Sequence, residues 1–472
     1  MALVRHEQSS RELQRVQDTI AGWLTARADQ PANGDTPPRA AYHASQIAAL
    51  GATLTSIVGV LQRGLQAIHP DTTAADSVYE QCRAVDQAVV WLDAVWAYFR
   101  ARLDQRYEGD VAARSLLEAA DEVVWSCYQP VLAALGSGSP PLPSIEPRFS
   151  PMAWERDRGA PPPLLVPQEA ARLPLVRILE RLPVALVELP GWCTDAPWWL
   201  VHLAHEVGHH VLFELRLAPA VRQELQRDLS AEQAARWTPW AAEIFADAFA
   251  VAMMGPSAVL ALVEVELASS QLMGRDRGDA ATYPPRAVRL ALAARVASAL
   301  GMNADEAMRR VDLAAVRQAV PSVGDDLDLV EVIAGRLAEL LTPLCRTATI
   351  SDQTIQDWAT TLLEPGVIRP PRRAETARSV VAGAVRAWAE IVAAAPDANA
   401  RAEQLRRLRE RTVQVVRDGA PPGRRGKRPQ PATPQQAAAA QGQAATGETE
   451  VARWLLEAAG ADAGVLLASP DV

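Results

Sequence analysis

Four of the chain's seven histidines, His202, His205, His209 and His210, fall within nine residues. Two of them bracket an acid in His205-Glu206-Val207-Gly208-His209. This spacing constrains the fold strongly, because side chains four apart are neighbours on one face of a helix, whereas on a strand they share a face but stand about 13 Å apart. The surrounding sequence predicts such a helix from Asp195, a suitable N-cap, to about Leu215, with Pro197 in the first turn where its missing N–H does no harm. On that helix the imidazoles of His205 and His209 converge on one point. Glu206, rotated by one residue, stands beside that point. His202 and His210 are off this spacing and are expected to be neighbours of the pair.

Two imidazoles aimed at one point are metal ligands by type and spacing. Zinc is the expected ion, since it accepts imidazole nitrogen and carboxylate oxygen in a tetrahedron and leaves one corner for water in catalytic sites. Glu206 then sits where a general base acting on that water belongs. A third protein ligand is needed. No histidine follows His210, and Leu215 stands six residues after His209, so a carboxylate is expected. Glu224, Asp228, Glu232, Glu243 and Asp247 follow in sequence. Glu243 and Asp247 stand out because they are four apart on one helical face in Ala242-Glu-Ile-Phe-Ala-Asp-Ala-Phe, among apolar neighbours where an uncompensated carboxylate would be costly. Glu243 is assigned to the metal. Asp247 is assigned to the free ring N–H of His205, which would fix its tautomer.

HExxH followed by ExxxD on a second helix resembles the gluzincin zinc metallopeptidases. The same stretch is similar to soluble relatives of the IrrE/ImmA kind and to the HtpX/CAAX-protease group. In the last group a His-Pro-x-x-x-x-Arg motif follows. Tyr283-Pro284-Pro285-Arg286-Ala287-Val288-Arg289 has that shape with tyrosine in place of histidine. Tyr283 is the only tyrosine after the motif helix. It is the candidate donor to a developing oxyanion, with Arg289 orienting substrate or Asp247. The resemblance covers about residues 184–300 and implies an edge strand, read here as Val184–Leu189, beside the motif helix, to which a substrate backbone can add. Gly208 is read as permitting close packing of that helix on the sheet. Trp198, Trp199, Trp237 and Trp240 are read as core.

The rest of the chain predicts a mainly α protein: a helical amino-terminal bundle, a gluzincin-like domain with a small β element, and further carboxy-terminal helices. Val85, Val89, Leu92, Val95, Trp96 and Phe99 make one stripe of a helix over about Thr72 to Tyr107. Expected boundaries are 1–135 for the bundle, 136–170 for a proline-rich linker, 171–300 for the peptidase core and 301–418 for the carboxy-terminal helices. A disordered linker over 419–450 and a short terminal helix over 451–472 complete the chain. Ser230 and Gln233 predict a capping box.

A formal charge of −9 and a pI near 5.5 provide no basic field for nucleic acid. The run Arg424-Arg-Gly-Lys-Arg reads as a solvated segment. The four cysteines are far apart, without a CxxC pair, so neither a disulfide framework nor a thiolate zinc site is expected. The first residues lack a signal-peptide core, and the apolar stretch Ala248 to Val263 is too short to span a bilayer. The expectation is a cytoplasmic zinc-dependent endopeptidase, selective for a protein or peptide substrate, without nucleic-acid or membrane partners. The amino-terminal bundle or the terminal helix offers a place for a partner protein to dock. The other reading is a helical partner-binding protein with a structural or regulatory zinc site.

Overall fold

A computed structural model of the 472-residue chain describes residues 1–28, 43–135, 140–154, 184–276, 282–345, 349–394 and 397–421. The fold is mainly α, with one small sheet, as expected. The chain divides into two compact units.

Of the described residues, the first unit holds 1–28, 43–104, 154 and 184–185. It contains α1 (Ala2–Ala28), α2 (Ala44–Gln66) and all but the last turn of α3 (Ala75–Glu108). Their stripes meet in a common core, with Leu13, Val16 and Ile20 from α1, Leu50, Leu54 and Leu61 from α2, and Val85, Val89, Leu92 and Phe99 from α3 all buried. Arg5 pairs with Asp86, and Arg27 with Asp104, along its flank. Among the described residues, α2 is the one helix long and apolar enough to cross a membrane.

The second unit covers the described residues of 105–153 and 186–421. After α4 (Val111–Leu135) come β1 (Leu142–Glu146) and β2 (Met152–Trp154), inside the stretch that composition assigned to a linker. β3 (Leu186–Pro190) pairs in parallel with β1, from Leu142 opposite Leu186 to Glu146 opposite Pro190, and the sheet order is β1-β3-β2. The strand expected at the edge is therefore the central one. All five of its residues are buried, as befits a strand paired on both sides and covered on both faces. The outer edge of β1 is closed by a side chain. The Gln105 amide donates to Ile145 O and accepts from Ile145 N, both at 2.9 Å. The expected disordered linker and terminal helix beyond 421, and most of the proline-rich stretch, lie outside the described residues.

The motif helix is shorter than expected. Pro197–His202 is a 3-10 segment, and α5 proper spans Leu203–Glu214. Asp195 does not cap it; the residue before Pro197 is Ala196, and the Asp195 carboxylate pairs instead with Arg409. α6 (Ala218–Gln226) and α7 (Ala231–Trp237) follow, α7 opening with the full Ser230–Gln233 capping box. α8 (Ala241–Met254) is buried on every side except at Ala242, and it turns at Gly255 (φ 61°) into α9 (Pro256–Glu266). α10 (Ser270–Gly274) and α11 (Arg286–Ala299) come next. The remaining helices are α12 (Asp305–Met308), α13 (Leu313–Ala319), α14 (Gly324–Cys345), α15 (Asp352–Leu363), α16 (Thr376–Ala394) and α17 (Ala398–Asp418).

Two contacts position α5. His210 is buried, and its Nε2–H donates to Leu186 O at 3.2 Å, tying the helix to the central strand. Gly208 faces α8: a Cβ there would lie 2.9 Å from Ala246 Cα and 3.2 Å from Ala246 O and Phe249 Cβ. The close approach that glycine permits is thus to a helix and not to the sheet. Gly208→Ala gains about 1 kcal/mol in helix propensity but meets backbone that cannot step aside, at a cost of about 1–3 kcal/mol. Urea unfolding should show the variant to be the less stable; equal or greater stability would refute the contact.

Candidate metal centre

α5 and α8 cross face to face, so the motif of one helix meets the carboxylates of the other. His205 Nε2 lies 3.2 Å from His209 Nε2 and 3.5 Å from Glu243 Oε2, and His209 Nε2 lies 3.6 Å from Glu243 Oε1. Among the described residues, these three side chains form the one group whose ligand atoms all lie within 4.8 Å of one another. Donors about 2.0–2.2 Å from a tetrahedral zinc ion are separated by edges of about 3.3–3.6 Å. The observed separations fall at that size. Glu243 Oε2 is buried without a hydrogen-bond partner, an arrangement that is costly unless a cation completes it. The residues present therefore fit zinc.

The supporting shell is built from buried charge. His205 Nδ1–H donates to Asp247 Oδ1 at 2.8 Å, which turns Nε2 toward His209 and Glu243. Asp247 in turn receives a bidentate guanidinium: Arg289 Nε at 2.5 Å and Nη2 at 2.8 Å. The third arm of Arg289 donates to Glu266 at 2.8 Å, and Arg286 pairs with the other Glu266 oxygen at 3.1 Å. Arg289 is thus occupied in holding Asp247. Of the two roles expected for it, orienting Asp247 is the one its contacts fill.

Charge sets the protonation states. Burial alone pushes Asp247 upward, but Arg289 and His205 outweigh it and hold the carboxyl well below its ordinary range. Burial also opposes charge on His205, yet Asp247 and Glu243 outweigh it and raise this imidazole. His209 is kept neutral by burial, its pKa down to about 4. Glu206 stands beside this group and lines the same cleft. Burial raises its carboxyl to about 7, helped by the charge of Glu243 and opposed by His205 and Arg289; the Ala153 backbone also favours its ionised form. Leaving aside Glu264, which pairs with Arg310, the cleft holds the carboxylates of Glu206, Glu243, Asp247 and Glu266 against the guanidiniums of Arg286 and Arg289.

The cleft has a volume of about 570 Å³. Tyr283 lines it, half-buried, with its ring 5.9 Å from the Arg289 guanidinium. Trp198, Trp237 and Trp240 are core. Trp199 is not: it is half-buried, lines the cleft, stacks on His202 at 5.7 Å and packs against Trp388 at 5.0 Å. The cleft's lip was invisible in the sequence. Phe149, 87% exposed, and Trp192, 40% exposed, flank it, with Trp192 Nε1 donating to Phe149 O at 3.1 Å. Glu266 was missed as well, since an acid at a helix end, two residues after Glu264, has no spacing signal linking it to Arg289. No known family, curated protein or solved structure matches the chain.

Removing the support of a ligand should weaken the site without abolishing it. Asp247→Asn should lower zinc affinity by about 10- to 100-fold, measured by competition with a chromophoric chelator. Glu243→Ala should lower it further. Unchanged affinity in both variants would show that this carboxylate pair does not serve a metal.

Proposed function

We propose that the protein is a zinc-dependent endopeptidase of the gluzincin type, hydrolysing a peptide bond in a protein substrate. The observation that carries this reading is the position of Glu206. It belongs to none of the ligand contacts, lies beside all of them, lines the open cleft and has a pKa raised to about 7. A purely structural ion has no need of a carboxylate so placed. A general base works best when its pKa lies near the operating pH.

His205, His209 and Glu243 would hold the ion, which when bound supplies Lewis-acid polarisation of a carbonyl and acidifies water. The chain's own groups do the rest. Glu206 takes the proton from the attacking water on a carboxylate oxygen and delivers it to the departing amine nitrogen. Asp247 keeps the Nδ1 proton on His205, so that Nε2 remains a donor of its lone pair, and Arg289 fixes Asp247. The Tyr283 phenol is the donor for negative charge developing on the substrate carbonyl oxygen. β2 is, with β1, one of the two end strands of the sheet among the described residues, and the segment leading into it, Phe149–Pro151, lines the cleft. An extended peptide can add along that strand, which favours polypeptide over small amides.

Glu206→Gln should keep its zinc and lose about 10²- to 10⁴-fold in turnover. Tyr283→Phe should keep zinc and lose roughly 10² in kcat. Both are checked by incubating wild type and variants with a proteome digest-free extract and counting new amino termini by mass spectrometry. New termini formed equally well by Glu206→Gln would remove the peptidase reading and favour a helical partner-binding protein with a structural zinc.

A further inference from the structure

The chain's net charge hides a local excess of the opposite sign. Residues 364–428 carry 15 basic and 7 acidic side chains, whereas the rest of the chain carries 32 basic and 49 acidic. Such asymmetry within one chain points to a polyanionic partner. In the fold, this excess gathers at one end of three helices. The loop 364–375, between α15 and α16, runs for twelve residues, where helix connections usually take about two to eight. It is nonetheless held in place. Pro365, Pro370 and Pro371 fix their own φ angles. Thr376 Oγ1 donates to Pro371 O at 2.7 Å and Arg373 N to the same oxygen at 3.1 Å, while Arg411 Nη2 donates to Thr361 O at 3.1 Å near the end of α15. Arg369, Arg372 and Arg373 are exposed on this loop. Arg369 and Arg372 form no ion pair among the described residues, and Arg373 lies 4.0 Å from Glu375. α17 ends at the same place, since a Cβ on Gly419 would lie 2.6 Å from Thr376 Cγ2. The described chain leaves there at Pro421. The run Arg424-Arg425-Gly426-Lys427-Arg428 begins three residues on, no more than about 10 Å of chain away.

We propose that this end of the second unit binds single-stranded nucleic acid through its phosphates, without regard to base sequence. The inference is independent of the peptidase reading. A phosphodiester chain carries a negative charge at every nucleotide, and each arginine that meets one releases condensed counterions, so a strip of unpaired guanidiniums suffices for binding. The prolines hold that strip in place before the ligand arrives, so little freedom is lost on binding. The same end has a hollow of about 430 Å³ whose lining includes Trp358, Val367, Ile368, Arg369 and Arg411. It offers an unstacked base aromatic and apolar groups beside guanidiniums, which a paired base cannot use. The acids here, Asp357, Glu364, Glu375 and Asp418, are outnumbered two to one by the loop arginines, Arg411 and the basic run. A membrane surface would need apolar groups to bury beside the charge, and Val367 is the one large apolar side chain that this loop leaves exposed. A folded acidic partner would need an apolar centre to its interface, which the loop lacks for the same reason.

The test titrates fluorescein-labelled oligo(dT) of about 20 nucleotides, long enough to span such a site, with the full-length protein and reads anisotropy. Contact with about five to seven phosphates predicts a loss of affinity of about 10²- to 10³-fold between about 50 and 200 mM salt. The triple variant Arg369→Ala/Arg372→Ala/Arg373→Ala should bind roughly 10- to 50-fold more weakly at the lower salt, with a salt slope smaller by about 2. Replacing Arg424, Arg425, Lys427 and Arg428 by alanine should weaken binding further. A duplex of equal length should bind roughly 10-fold more weakly than the single strand. The triple variant should keep its helicity and its zinc, because its side chains lie in solvent. Glu206→Gln should bind the oligonucleotide like wild type, so the two readings stand or fall separately. No binding at the lower salt, equal binding by the triple variant, or a duplex bound as tightly as the single strand would overturn the proposal. Sedimentation with phosphatidylserine vesicles that needs the same arginines, without binding of oligo(dT), would also overturn it and assign the face to a membrane.

Discussion

A carboxylate taken out of water must be compensated, and α8 carries two of them into a helix whose other buried side chains are apolar. Asp247 is compensated inside the chain by the Arg289 fork and by His205. Glu243 is held less closely: its nearer neighbours, His205 foremost, outweigh burial and keep its carboxyl below the ordinary range, but Arg289 stands 4.0 Å away and one carboxylate oxygen remains buried without a hydrogen bond, 3.5 Å from His205 Nε2. The site is therefore a set of convergent imidazole and carboxylate donors. A divalent cation satisfies all of these groups together.

The surrounding fold holds that convergence. Gly208 lets α5 lie against the backbone of α8 at Ala246, which sets the imidazoles opposite the carboxylates. His210, on the other side of α5, fastens the helix to the centre of the sheet. The second layer of charge, Arg289 between Asp247 and Glu266, joins α8, α9 and α11 at one point. Rigid support of this kind keeps donors within the fraction of an ångström that metal binding and catalysis require.

Much of the site was legible in the sequence because it depends on spacing along helices. His205 and His209 are four apart, as are Glu243 and Asp247, and each pair needs only helical geometry to share a face. The capping box at Ser230 is equally local. What was hidden depends on contacts between distant segments. β1 and β2 lie in a stretch whose prolines suggest a linker, and the parallel partner of β1 is some forty residues away. The place of β3 in the middle of the sheet follows from those unseen neighbours. Trp199 sits in a run of apolar residues that reads as core, yet the 3-10 winding of Pro197–His202 turns it toward the cleft. Helical periodicity could not foresee that winding. The arginine fork between Asp247 and Glu266 likewise joins three helices that no local pattern connects.

The claim on which the rest stands is that His205, His209 and Glu243 bind one zinc ion together. X-ray absorption at the zinc edge, on stoichiometrically loaded protein, addresses it most directly. The account predicts a low-coordinate site with two imidazole nitrogens and carboxylate or water oxygen at about 2.0–2.2 Å, and loss of one imidazole contribution in His209→Ala. A sulfur shell near about 2.3 Å, or a spectrum unchanged by His209→Ala, would contradict it.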